Sequence, residues 1–249
     1  MTADAPSAIR LVGLSKAFGS LTVLDDVTLD VRRGHALCIL GRSGTGKSVT
    51  LKSIVGLIRP DHGEVYVGDD AITELDSRGL SRVRRNIGFL FQNSALFDSI
   101  SVGENVAFPL RRHTDLSPRE IEQKARAKLA AVGLEQDYAK MPAELSGGMR
   151  KRAALARAMA LDPPILLADE PSAGLDPITA EEIDLLLVRT KEAGATLVVV
   201  THNIPSARTI ADEMAFLHEG RVLARGTVED LDRSEEPLVK QFMRSESGG

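Results

Sequence analysis

The sequence predicts an α/β fold: a core of buried parallel strands, an antiparallel β layer formed by the N-terminal segments, and an inserted α-helical subdomain. Three observations carry this. Four short runs, ALCIL at 36–40, IGFLF at 87–91, ILLA at 165–168 and TLVVV at 196–200, are apolar throughout, as strands covered on both faces are. Residues 9–33 instead show partial period-two alternation, which suits strands with one solvated face. Between the second and third apolar runs, about residues 93–161, the apolar spacing is helical.

In chain order, MTADAPSA has neither the basic start nor the apolar stretch of a signal peptide, and no apolar run approaches the ~18 residues of a spanning helix. A cytoplasmic chain that meets a membrane only through a partner is expected. IRLVGL and VLDDVTLDV read as strands, the second with Val23, Asp25, Val27, Leu29 and Val31 opposite Leu24, Asp26, Thr28 and Asp30. ALCIL is followed by a Gly-rich turn and the helix-compatible stretch KSVTLKSIVGLI. The clearest helix of the insert starts at SPREIEQKARAKLAAVG: Ser117 caps, Pro118 suits the first helical position, Glu120 completes a capping box and Gly133 suits the stop. Ile121, Ala125, Leu129 and Val132 form its apolar stripe. Near the end, EPLVKQFM reads as a short amphipathic helix, either frayed or docked on a partner, and SESGG as a disordered terminus. The expected division is one domain over 9–244, with a core of about 9–92 and 162–232, helices at about 93–161 and a tail at 233–249.

With 249 residues, 43% of them hydrophobic, the chain is long enough to bury a sizeable core. A net charge of -4, from 31 basic and 35 acidic residues, argues against a nucleic-acid-binding surface. Cys38 is the single cysteine and lies in ALCIL, so it reads as a core-packed thiol. His35, His62, His113 and His218 show no metal-ligand spacing.

The chemistry starts after ALCIL. Gly41, Arg42, Ser43, Gly44, Thr45, Gly46, Lys47 and Ser48 have P-loop spacing and sit between an expected strand and an expected helix. Such glycines let main-chain N–H groups curl around phosphate oxygens at a helix N-terminus, with Lys47 reaching the β and γ phosphates and Ser48 ligating Mg²⁺. Val49 belongs to the same nucleotide-binding set. ILLADE places Asp169 and Glu170 at the end of a buried strand, in the Walker B pattern. Asp169 is expected to bind Mg²⁺ and Glu170 to polarise the attacking water. Taken alone, this pair reads equally well as the start of a solvated loop.

Leu145, Ser146, Gly147, Gly148 and Met149 precede a basic, alanine-rich helix. This segment resembles the signature of the ATP-binding cassette (ABC) family. The resemblance spans nearly the whole chain and implies an ABC nucleotide-binding domain with a P-loop NTPase core. It implies ATP and Mg²⁺ as cofactors and a head-to-tail dimer in which Ser146, Gly147 and Gly148 face the γ-phosphate held by the second copy. Gln92 matches the family's Q-loop glutamine, which senses Mg²⁺ and water, and Asp176 in SAGLDP matches the loop that communicates across the dimer. His202 matches the switch histidine that contacts the γ-phosphate. Phe18 stands where the family has an aromatic residue against adenine, although a core Phe fits the position equally well.

LSGGMRKRAALARA, with Met149 where many ABC ATPases have Gln, resembles the Mla and Mce-associated lipid-transport ATPases. NSALFDSISVGENVAFPL, DPIT at 176–179 and EPLVKQF resemble the same subfamily. That resemblance implies transmembrane permease subunits in the inner membrane, an MCE-type lipid-binding protein, a small regulatory subunit and phospholipid or another hydrophobic molecule as cargo, with this chain on the cytoplasmic face. Residues 93–110 would then meet the permease; equally, Leu96, Phe97, Val106, Phe108 and Leu110 suit the core of the helical subdomain. An ABC ATPase for another solute, an iron-sulfur assembly factor and an ATP-binding regulatory module are the competing readings; retention of Lys47, Ser48, Asp169, Glu170 and His202 argues against the last.

Overall fold

The computed structural model describes residues 7–244; the readings of MTADAP and SESGG fall outside them. In chain order the elements are β1 (Ser7–Phe18), β2 (Leu21–Arg32), β3 (Ala36–Leu40), α1 (Lys47–Ile54), β4 (His62–Val67), β5 (Asp70–Ala71), α2 (Ser77–Arg84) and β6 (Ile87–Leu90). There follow α3 (Val102–His113), α4 (Pro118–Ala131), α5 (Gly147–Ala158), β7 (Ile165–Asp169), α6 (Pro177–Glu192), β8 (Thr196–Thr201) and α7 (Ile204–Ile210). The chain closes with β9 (Glu213–His218), β10 (Arg221–Gly226), α8 (Val228–Asp232) and α9 (Pro237–Arg244).

Two sheets result. An antiparallel sheet runs β2-β1-β4-β5, and a second sheet runs β10-β9-β3-β8-β7-β6, in which β9, β3, β8, β7 and β6 are parallel. The four apolar runs are the adjacent strands β3, β8, β7 and β6, and their side chains divide between two cores. Leu37, Ile39, Leu167, Val198 and Val200 pack toward the antiparallel sheet, whereas Cys38, Leu40, Leu166, Ala168 and Val199 pack toward the helices. Burial on both faces explains why these strands carry no alternation. Burial also pushes the Cys38 thiol far above its ordinary pKa, so it is an inert core group.

β2 departs from the simple alternation. Leu24, Val27, Leu29 and Val31 are all buried, so the inward phase changes between Leu24 and Val27. The cause is an irregularity at Asp26, whose φ is +57°, where the pairing with β1 shifts register. An extra residue in one strand moves every later side chain to the opposite face. The helix expected over KSVTLKSIVGLI also stops early, at Ile54, leaving Leu57 and Ile58 in the following turn.

The capping box at Ser117 and Glu120 forms as expected, and Ile121, Ala125, Leu129 and Val132 are buried. α3 carries a second box, between Ser101 and Glu104. Buried Asn105 in α3 accepts a hydrogen bond from the Phe97 amide and donates to the carbonyls of Phe97 and Ser101, fixing the loop after β6. The apolar residues of 93–110 split: Val106 and Leu110 enter the core, while the rings of Phe97 and Phe108 meet at a tilt, 4.9 Å apart, and stay 45% and 44% exposed. α9 is not frayed: Val239 and Met243 are buried and Phe242 meets Phe216 at 4.9 Å. Among the described residues no helix is long and apolar enough to cross a membrane.

Asp184 on α6 is buried beneath α7, where Ser206 hydrogen-bonds the carboxylate but its Oδ1 has no partner among the described residues. Burial pushes its pKa up to about 6 from an ordinary 3.8. A carboxylic acid with a raised folded-state pKa costs stability when ionised, so the penalty grows from about pH 4 to pH 6 and is full above that. Asp184→Asn should therefore be more stable than the parent at pH 8, by up to about 3 kcal/mol, with the gap closing toward pH 4. Urea unfolding at the two pH values measures this.

Candidate active site

The neighbouring parallel strands β3, β8, β7 and β6 end at one edge of the sheet. In that order they deliver the P-loop, His202, the pair Asp169 and Glu170, and Gln92. Four segments scattered over the chain thereby meet, as groups at the carboxyl ends of parallel strands do.

The P-loop's shape depends on two glycines. Gly46, immediately before α1, has φ +102°, and a Cβ there would lie 2.6 Å from the Val23 carbonyl oxygen; one at Gly41 would lie 2.3 Å from that of Leu217. The first is a left-handed conformation suited to glycine, and both sites forbid a side chain. Arg42, Ser43 and Gly44 are exposed, Thr45 and Val49 are partly buried, and the Thr45 hydroxyl donates to the Arg42 carbonyl at 2.9 Å.

Lys47, 6% exposed, donates to the carbonyls of Gly41 at 2.7 Å and Arg42 at 3.0 Å and lies 3.6 Å from Glu170 Oε1. Burial holds its pKa below the ordinary value, while Glu170 and Asp169 draw it back up. Glu170, 8% exposed, has its Oε2 3.0 Å from His202 Nδ1 and so lies between two potential cations. Its φ of +47° is a left-handed conformation that costs a non-glycine residue about 1–3 kcal/mol, a strain typical of functional positions. The Ser48 hydroxyl donates to Asp169 Oδ1 at 2.8 Å. A hydroxyl beside a carboxylate offers two hard oxygen ligands at one point, a donor set that fits Mg²⁺. Burial raises the Asp169 pKa, opposed by that hydrogen bond and by Lys52.

The signature residues are not part of this cluster. Ser146 caps α5 by accepting from the Met149 amide at 3.2 Å, and Ser146 and Gly147 lie exposed. Asp176 caps α6, accepting from the Thr179 amide at 3.1 Å and the Thr179 hydroxyl at 2.6 Å. The two caps touch, since a Cβ on Gly148 would lie 2.3 Å from Thr179 Cγ2. Gly148→Ala should therefore lower stability by about 1–3 kcal/mol, and adding Thr179→Ser, which keeps the hydroxyl and removes that methyl, should recover most of it in thermal unfolding. Phe18 is 49% exposed, with the Lys16 ammonium 5.4 Å from its ring centre; it is not a core residue.

Sequence reasoning missed Lys151. It is one of several basic residues on α5, yet it is buried and donates to the carbonyls of Gln92 and Glu170. It also missed Arg157, which donates to the carbonyls of Ser94 at 2.9 Å and Ala95 at 2.6 Å. Nothing in the pattern of α5 marks either, because their burial is decided by how that helix docks beside β6.

Fold and site together define a P-loop ATPase of the α/β class, with the P-loop, the acidic pair Asp169 and Glu170, His202 and Gln92 on one sheet edge. The family description "ABC transporter" matches residues 24–173, and the chain belongs to that family as an ATP-binding, ATP-hydrolysing cassette. It is similar to the intermembrane phospholipid transport system ATP-binding protein MlaF of Haemophilus influenzae, 43% identical over 97% of this chain and 92% of that one. It is also similar to a probable ribonucleotide transport ATP-binding protein of Mycobacterium leprae, 46% identical over 95% of this chain but 68% of the relative. Among solved structures, the dimeric bacterial ABC transporter cassette MJ0796 is 36% identical with a TM-score of 0.83, over 88% of this chain and 98% of that one. The same cassette has been solved in a post-hydrolysis state with ADP and phosphate, at a TM-score of 0.82.

Proposed function

We propose that this chain is the ATPase subunit of a phospholipid transporter. The observation that carries the reading is its similarity to an MlaF protein along nearly the full length of both chains. The domain division follows the same reading: one domain over 9–244, with a core of about 9–92 and 162–232, a helical subdomain at about 93–161 and a tail at 233–249. Two copies would close head to tail, each offering Ser146, Gly147, Gly148 and Asp176 across the interface to the other's nucleotide.

In each site the P-loop residues Gly41 to Ser48 and Val49 would hold the phosphates, Lys47 their charge, and Phe18 the adenine. Ser48, Asp169 and Gln92 would hold Mg²⁺, which when bound neutralises phosphate charge. Glu170 would take the role of general base, with His202 against the γ-phosphate. The geometry supports an ordering of events: Lys47 and His202 now face the Glu170 carboxylate, and an arriving γ-phosphate competes for both. The carboxylate is then released to orient and deprotonate water.

A permease would dock in the groove of about 510 Å³ beside Gln92, lined by Arg85, Phe91, Phe97, Phe108, His113 and Leu161, among others. Its exposed aromatic pair and basic rim suit an amphipathic partner helix. That contact would hold the chain at the cytoplasmic face of the inner membrane, with an MCE-type protein and a small regulatory subunit in the same assembly. α9 spends Val239 and Met243 on its own chain, so only its outer face is available to a regulator.

Ribonucleotide transport is the competing cargo, favoured by the description of the mycobacterial relative. Affinity purification of the tagged chain from detergent-solubilised membranes, with protein and lipid mass spectrometry, separates the readings. Recovery of a permease and an MCE protein with phospholipid is expected. A permease carrying nucleotide would replace the cargo, and cytosolic partners alone would favour an assembly factor.

A further inference from the structure

Lys151 lies in the second turn of α5, 6% exposed, on the helix that begins at the signature. Its ammonium donates to the Gln92 carbonyl and, at 3.1 Å, to the Glu170 carbonyl. Neither acceptor is a carboxylate, and among the described residues Lys151 makes no salt bridge. Burial lowers the Lys151 pKa, opposed by the nearby Asp169 and Glu170 carboxylates, while its hydrogen bonds all go to main-chain oxygens. Here they belong to the two backbone segments that carry the proposed water sensor and the proposed general base.

The surroundings point the same way. Glu170 sits in a left-handed conformation, and among the described residues its carbonyl receives the Ala173 amide, at 3.3 Å, besides Lys151. Downstream of Gln92, Ser94 and Ala95 also have positive φ, and Arg157, further along α5, binds both of their carbonyls. α5 thus grips residues 92–95 at both ends and the Glu170 peptide through one of the same side chains. A helix is stiff over one to two turns, so Ser146, Gly147, Gly148 and Lys151 move as one body.

We infer that Lys151 is a positioning residue for hydrolysis: it fixes the main chain of Glu170 and Gln92 to the signature helix, so that engagement of Ser146 to Gly148 by a second cassette is delivered to the catalytic carboxylate. This rests on the proposed role of Glu170. Lys151 touches no reacting atom and acts through that residue, so it serves the rate of the chemical step and contributes little to ATP binding.

The test measures kcat and the KM for ATP in the full-length chain, purified with the membrane partner it carries, for Lys151→Met, Lys151→Arg and the double variant Lys151→Met with Glu170→Gln. Lys151→Met should lower kcat by about 10- to 100-fold with KM nearly unchanged, and Lys151→Arg should recover part of the loss. In the Glu170→Gln background, Lys151→Met should cost little more, since the group it positions is already disabled. Wild-type kcat in Lys151→Met, or an undiminished loss in the double variant, overturns the inference. If Lys151→Met does not fold by thermal unfolding, Lys151→Gln, which keeps an N–H donor, is judged by the same split between kcat and KM. Wild-type turnover in Glu170→Gln alone would instead remove the functional reading beneath it.

Discussion

Glu170→Gln should reduce ATP turnover by about 10²–10⁴-fold, equivalent to about 2.7–5.4 kcal/mol of barrier, while ATP affinity stays close to that of the parent chain. The substitution keeps the shape of the side chain and removes its basicity. Backbone placement is secured independently, since the Glu170 amide donates to the Val200 carbonyl at 2.9 Å and its carbonyl accepts from Lys151 at 3.1 Å. The variant should accumulate as an ATP-bound dimer, because binding and closure proceed and the bond-breaking step does not. Phosphate release, equilibrium nucleotide binding and size-exclusion chromatography with ATP measure the three parts separately. Parental phosphate release would sink the assignment of Glu170 as base.

Lys47→Ala should act at the earlier step, weakening ATP binding by about 10- to 100-fold, as expected for losing one charge-assisted hydrogen-bonding group worth about 1.5–3 kcal/mol. The lower part of that range is favoured by the structure. The Lys47 ammonium is already satisfied by the carbonyls of Gly41 and Arg42 and by nearby Glu170, so phosphate replaces existing partners. Burial also holds its pKa below the ordinary value, opposed by the Glu170 and Asp169 carboxylates. Isothermal titration with ATP provides the measurement, and an unchanged Kd would exclude Lys47 from phosphate binding. Taken together, the two substitutions separate binding from chemistry: Lys47→Ala should affect both, Glu170→Gln chemistry alone.

What could be read in the sequence was local. The P-loop is contiguous, and its glycine positions follow from the close approaches at Gly41 and Gly46. The box at Ser117 and Glu120 closes within one turn and needs no other element. Four of the five parallel strands, β3, β6, β7 and β8, declare themselves because both of their faces are covered. β9 and β10 were missed, as were β4 and β5. β10 and β4 retain exposed positions, and β5 has only two residues, so their strand identity comes from the chains they pair with. The phase of β2 was missed because the irregularity at Asp26 depends on its pairing with β1.

By itself the sequence determined the class of chemistry. A phosphate-binding loop, an acidic pair after a buried strand and a signature before a helix are each encoded within a few consecutive residues. Which of them share a site is set by strand order and helix docking. The strand order β3-β8-β7-β6 brings Lys47, His202, Glu170 and Gln92 to one edge while leaving Ser146 and Gly147 exposed on a separate helix. The same structure buries Lys151 rather than solvating it. The physical reason is that strand adjacency and helix docking are set by long-range burial of apolar faces, which no short window of sequence contains.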